Sequence, residues 1–219
     1  LKKGTLWIVI GGILLGAAAI AASFVSVQRE KARLSGEERE VSPPGSKELG
    51  SPDAPVVVEI WSDFQCPYCG LAARNLKTIE DEYVKTGRVR LVYRHFPFIG
   101  EESRWAAQAS ECAAAQGKFW TYHDLLFAHQ KGENEGNFLP GRLRELARQA
   151  GLDEEEFKRC FQEERYASVV TEEFNQGRAR GIRATPTFFI NGQMIEGALT
   201  PEQLRRIFEE ILARSSKPS

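Results

Sequence analysis

Net charge is nearly absent from this chain: 29 lysines and arginines stand against 30 acidic residues, leaving −1 over 219 residues. No basic field of the kind that draws nucleic acid is left over, so nucleic acid is not expected as a partner. Histidine is scarce, limited to His95, His123 and His129. His123 and His129 are not spaced i, i+4, and His95 stands among aromatics, so no four-ligand zinc set composes and neither metal nor cofactor is expected. Internal repeats are missing, and the length suits one well-buried domain plus an appendage. Cysteine occurs four times, at 66, 69, 112 and 160, which permits three pairings. Whether any forms depends on the side of a membrane on which they sit.

Charge is wholly lacking from Leu6 to Val27, "LWIVIGGILLGAAAIAASFVSV", with Lys2 and Lys3 in front. A hydrocarbon core takes about 20 apolar residues, so the run predicts a transmembrane anchor over 6–27 behind a short cytoplasmic segment, 1–5. The rival is a cleaved signal peptide, whose apolar region is shorter, about 7–15 residues, although "AAAIAAS" resembles a cleavage site. Arg29, Lys31 and Arg33 follow closely and blunt the positive-inside bias. Either reading exports the rest of the chain into a disulfide-permissive compartment, with the body extracytoplasmic at the cell membrane. Residues 28–50 are charged, poor in large apolar residues and broken by Pro43-Pro44-Gly45. They read as a polar tether, spanning roughly 25 Å if flexible.

The body, 51–219, begins with "APVVVEIWS" (54–62), a β-branched run that predicts a buried strand. A helical pattern follows from Cys66 to about Lys85, with Leu71, Ile79 and Tyr83 as its core face and Gly87 at its end. Arg88 to Arg94 alternates arginine with apolar residues and predicts a second strand, completing βαβ. From about 101 to 181 the patterns are helical, with Asp153 and Glu156 spaced as a capping box. Strand signals return at Thr187–Ile190 and Gln193–Glu196 around Asn191-Gly192, the preferred two-residue hairpin turn. A last helix runs from about Pro201 to Ala213, with Thr200 as N-cap. The expected fold is α/β, β-α-β plus β-β-α, with a helical insertion.

Spacing alone leaves Cys66 and Cys69 open as a metal clip, a structural staple or a redox pair. Context narrows this. A cysteine pair just past a first strand and opening a helix, with Thr-Pro far downstream before a hairpin, resembles the thioredoxin superfamily. Within it, "FQCPYCG", the helical insertion and "ATPTFFINGQ" look like the DsbA-type branch of exported thiol–disulfide oxidoreductases, over about Ser51 to Ala213. The chemistry agrees. Residues i and i+3 share a helix face. With Pro67 at the first helical position, Cys66 sits at the N-cap, facing unpaired N–H groups and the positive end of the dipole. Cysteines so placed fall from about 8.5 to about 3.5–7.5 in pKa. Cys69, a turn inside, is expected to be less exposed and closer to an ordinary thiol.

The resemblance implies further roles. Pro186 is expected in cis, facing the pair, with the Thr185 backbone turned outward for an extended substrate. Pro67 rigidifies the turn. Tyr68 stands where the best-known oxidant of the family has histidine, which implies a weaker oxidant that is still a donor. Glu59 is the first candidate for exchanging a proton with Cys69, and Asp63 the second. Cys112 and Cys160 are expected to form a structural disulfide. Trp61, Phe64 and Tyr68 are candidates for an apolar substrate groove. The implied partners are exported proteins with thiols or disulfides, and a membrane redox protein that hands electrons to quinone. The competing functions are a membrane-tethered reductase and a non-catalytic tethered chaperone or adaptor.

Overall fold

The computed structural model describes residues 45–215. The apolar run at 6–27 and most of the polar stretch after it lie outside the described residues. Among those described, no helix is long and apolar enough to cross a membrane.

Twelve elements follow in chain order: β1 (Glu48–Leu49), β2 (Val56–Ser62), α1 (Pro67–Tyr83), β3 (Val89–His95), α2 (Glu101–Ala115), α3 (Phe119–Ala128), α4 (Pro140–Gln149), α5 (Glu154–Gln162), α6 (Ala167–Ala179), β4 (Thr187–Ile190), β5 (Gln193–Glu196) and α7 (Pro201–Ser215). The strands form one sheet in the order β1-β3-β2-β4-β5. β2 is central, parallel to β3 and antiparallel to β4. Its β-branched residues suit that place, since a strand flanked on both sides is buried along its length.

α1 connects the parallel pair. It ends where Gly87 takes φ +75° and the Arg88 N–H reaches the Tyr83 carbonyl. Its core face is Cys69, Ala72, Leu76, Ile79 and Tyr83, whereas Leu71 is 39% exposed. The expectation for Leu71 fails because the helix begins at Pro67, and the core stripe then runs through 69, 72, 76, 79 and 83 at helical spacing. The hairpin forms as expected, with Asn191 and Gly192 both at positive φ, 46° and 85°. Asn191 also ties the turn to β2, accepting from the Val57 N–H at 2.7 Å and donating to the Pro55 carbonyl. Thr200 and Gln203 cap α7 reciprocally. At α5 only half the expected box forms. Asp153 accepts from the Glu156 N–H, but the Glu156 carboxylate turns to Arg159 and Arg165.

The main core joins Val56, Val58 and Ile60 of β2 to α1, α7 and the inserted helices. A second cluster gathers Trp61, Phe96, Ile182 and Phe189, with Phe174 of α6 against it. Gly177 lets α6 close on this cluster: a Cβ there would lie 2.7 Å from a Phe96 ring carbon and 2.9 Å from Trp61. Cys112 on α2 and Cys160 on α5 are joined by a disulfide, with Cα atoms 5.9 Å apart.

The start of the body lies earlier than 51. Glu48 and Leu49 pair with β3, the Tyr93 N–H reaches the Lys47 carbonyl, and Trp120 donates to the Glu48 carbonyl. Lys47 itself is buried. Its ammonium binds both Glu111 and Glu173, while His95 Nε2 lies 3.0 Å from Glu111 and Arg94 lies 3.0 Å from Glu173. His95, Glu111 and Glu173 offer ligand atoms within 4.8 Å of one another, and the Lys47 ammonium is the cation among them. A lysine in a polar stretch reads as solvated from sequence, because its partners come from α2 and α6, 64 and 126 residues away.

Candidate active site

The loop from β2 to α1 places the cysteine pair. Cys66 is the N-cap of α1, at φ −69° and ψ 120°, and Pro67 follows inside the helix. The N–H of Gly70 returns to the Cys66 carbonyl at 3.2 Å, so Cys66 closes the first turn. Both thiols are free; Cys66 is 5% exposed and Cys69 is 1% exposed.

Their environments push them apart. The Cys69 thiol, the Thr185 side chain and the N–H groups of Cys69 and Tyr68 outweigh burial and bring Cys66 down to about 6. Burial, and then the neighbouring Cys66 sulfur, push Cys69 well up. The asymmetry expected from the N-cap is therefore present, and the inner thiol itself is the largest contributor to it. Cys66 Sγ also lies 3.3 Å from the Thr185 carbonyl, and the Thr185–Pro186 bond is cis. Cys66, Cys69, Thr185 and Pro186 thus meet, although about 120 residues separate the two halves.

Tyr68 is 66% exposed beside the pair, but Trp61 and Phe64 are each 1% exposed. Neither can line a groove as the sequence reading supposed. Phe64 stacks on Tyr93 at 5.3 Å, and Trp61 belongs to the second core cluster.

Glu59 does not meet the inner cysteine. It points to the end of α6, where Arg180 binds it at 2.5 Å and also lies 3.6 Å over the Phe189 ring. Strand alternation sends Glu59 to the side opposite Val58 and Ile60, which face α1. Asp63 is the acid that does come close. It is buried, and its N–H donates to Cys69 Sγ at 3.5 Å. Its carboxylate accepts the N–H groups of Gln65 (2.8 Å), Phe98 (2.9 Å) and Ile99 (3.2 Å). Burial raises its pKa against these hydrogen bonds and one from Ser103. Asp63 therefore ties the cysteine loop to the segment after β3. Asp63→Asn sets an NH2 group against at least one backbone donor, so a loss of about 1–3 kcal/mol is expected in urea denaturation.

The insertion supplies contacts that sequence reasoning missed. Gln130, after α3, donates to the carbonyls of Phe64 (2.7 Å) and Cys66 (2.9 Å). Its amide oxygen lies 2.5 Å from where a Cβ on Gly70 would stand, so Gly70 makes room for it. Gln65 bonds Ser103 and accepts from the Asn134 N–H. No local pattern marks these residues, because each acts through a partner more than thirty positions away.

A thiol pair at a helix N-terminus, its two pKa values pushed apart, thus meets a Thr-cis-Pro bond in a sheet that carries an inserted helical subdomain. The chain belongs to the thioredoxin family, whose model matches residues 43–210. Its relatives include the disulfide bond formation protein D of Bacillus subtilis, 29% identical over 172 residues, 77% of this chain and 78% of that protein. The crystal structure of oxidised BdbD from Bacillus subtilis superposes with a TM-score of 0.71 at 28% identity, covering 79% of this chain and 97% of that one. The Na(+)/H(+) antiporter NhaA 3 of Salinispora tropica is 34% identical over 166 residues, 75% of this chain. The chain spans only 24% of that antiporter's length.

Proposed function

We propose that this protein exchanges disulfides with exported proteins through Cys66 and Cys69, as a disulfide donor tethered to the cell membrane by residues 6–27. The opposed shifts of the two thiols carry this reading. In the oxidised pair a substrate thiolate attacks Cys66 Sγ, the Cys66–Cys69 bond breaks, and Cys69 leaves as a thiolate that takes up a proton. A second substrate thiolate then attacks the substrate sulfur of the mixed disulfide, and Cys66 departs with the electron pair. A leaving group with pKa about 6 speeds this second step.

Thr185 offers its carbonyl edge to an extended substrate, with Pro186 shaping that edge. Pro67 holds the turn, and the exposed Tyr68 adds contact area. Cys112–Cys160 braces the insertion, a link of a kind that typically contributes about 2–4 kcal/mol. A membrane protein passing electrons to quinone would reoxidise the pair.

Thiol trapping in intact cells tests the direction. A donor is held mostly oxidised, with a potential above about −200 mV; a mostly reduced pair would make the protein a reductase instead. Cys69→Ser should accumulate mixed disulfides through Cys66. Capture of no exported protein would leave the chaperone or adaptor reading in its place.

A further inference from the structure

Between the segment after β3 and the end of α6 lies a groove of about 430 Å³ that no step above uses. Phe96, Phe174 and Ile182 line its inner side; Phe98, 49% exposed, forms one wall. The Phe96 ring lies 4.8 Å from Phe174 and 6.1 Å from Phe98, so the lining is a continuous aromatic surface. Arg178 and Arg183 complete the groove, and both are exposed. Among the described residues neither holds a carboxylate, in contrast to Arg180 on Glu59. The groove therefore combines apolar walls with two uncompensated positive charges.

Two of its lining segments lead into the loops that hold the redox site. The Phe98 N–H binds Asp63, three residues before Cys66. Arg183 stands two residues before Thr185, whose carbonyl faces Cys66 Sγ. A segment pairing with the Thr185 backbone and continuing along Ala184 and Arg183 advances about 3.3 Å per residue. It enters the groove within a few residues of its own cysteine.

We propose that this groove selects cysteine-bearing extended segments that carry a large apolar side chain and a carboxylate two to four residues from the cysteine. The inference rests on the disulfide-exchange reading of Cys66. The apolar side chain fills the space among Phe96, Phe98 and Phe174. The carboxylate meets Arg178 and Arg183, and a basic residue in its place is repelled.

The test uses the full chain carrying Cys69→Ala and single-cysteine peptides activated as mixed disulfides with thionitrobenzoate. The Cys66 thiolate attacks the peptide sulfur; one S–S bond forms, one breaks, and coloured thionitrobenzoate leaves with the electron pair. A peptide with phenylalanine and aspartate beside its cysteine should react about tenfold faster at low salt than one with lysine for aspartate. At 0.5 M NaCl the gap should close to about twofold or less. Alanine for phenylalanine should slow the aspartate peptide at either salt. Arg178→Glu with Arg183→Glu should invert the preference between aspartate and lysine peptides. Equal rates for all peptides, or a ratio that charge reversal leaves alone, overturn the groove while Cys66 chemistry stands. If Cys66 fails to react even with Ellman's reagent, the exchange reading falls and takes the groove inference with it.

Discussion

Lys47→Ala lowers the stability of the folded body by about 3–5 kcal/mol, the range for removing one partner of a buried ion pair. Two carboxylates, Glu111 and Glu173, then remain buried with only Arg94 as a full cation. His95 is a poor substitute for the lost charge, because burial, the largest influence on its pKa, still opposes protonation of the ring once Lys47 is gone. Urea denaturation at pH 7 measures the loss, and a change under about 1 kcal/mol would place Lys47 among ordinary surface charges. Acid sharpens the test. Burial pushes Glu111 up, but His95 and Lys47 outweigh it and hold its carboxyl at about 2, against 4.5 ordinarily. A carboxyl lowered on folding contributes stability above its unfolded pKa and loses it as pH falls through the folded one. The wild type therefore loses this contribution between about pH 4.5 and pH 2. Without Lys47 the Glu111 carboxyl rises towards its ordinary value, so the contribution is smaller and its loss is complete at a higher pH. Replacing Lys47 by methionine together with Glu111→Gln and Glu173→Gln should recover part of the stability, since no buried charge is then left over.

That cluster also marks where sequence reading stops. Strand β2, helix α1 and the Asn-Gly hairpin are local: period, caps and turn residues lie within a few positions of what they specify, and their bounds came within about two residues. The cysteine pair was legible for the same reason, since Pro67 fixes the helix start and the helix start fixes the thiolate. Lys47 and Asp63 were not. A two-residue strand such as Glu48–Leu49 is too short for periodicity to register. The choice between Glu59 and Asp63 turned on which side of β2 the inner cysteine occupies, and loop geometry sets that rather than residue type. Gln130 had no signal at all, since a glutamine after a helix reads the same in sequence whether or not it binds the carbonyls of Phe64 and Cys66.

Alkylation of the reduced pair by iodoacetamide should follow Cys66 with a half-maximal rate near pH 6, the pKa its surroundings give it. At pH 5 the thiolate fraction is about one in eleven, so the rate falls roughly tenfold from its plateau. Cys69, 1% exposed and raised in pKa, should lag by at least about a hundredfold at pH 7. An ordinary thiol would instead give a rate that keeps climbing through pH 8, and that profile would remove the basis for the donor reading. The same shift is a stability statement about the reduced protein. A thiol lowered on folding from 9 to about 6 contributes stability that is complete above pH 9 and lost as pH falls through about 6. At pH 7 the contribution is about 1.4 kcal/mol, which in a two-electron couple is about 30 mV towards the oxidising side. The disulfide form has no thiolate and no such term. Reduced and oxidised protein should therefore diverge in urea midpoint as pH rises from 6 to 9, the reduced form gaining, and Cys66→Ser, which has no thiolate to form there, should lack the pH-dependent gain seen in the reduced wild type. On the donor reading, a thiolate that stabilises the reduced state is what would let Cys66–Cys69 give its disulfide away. The Cys69 thiol, the Thr185 side chain and the N–H groups of Cys69 and Tyr68 supply that effect, and the Tyr68 side chain, 66% exposed, is not among its sources.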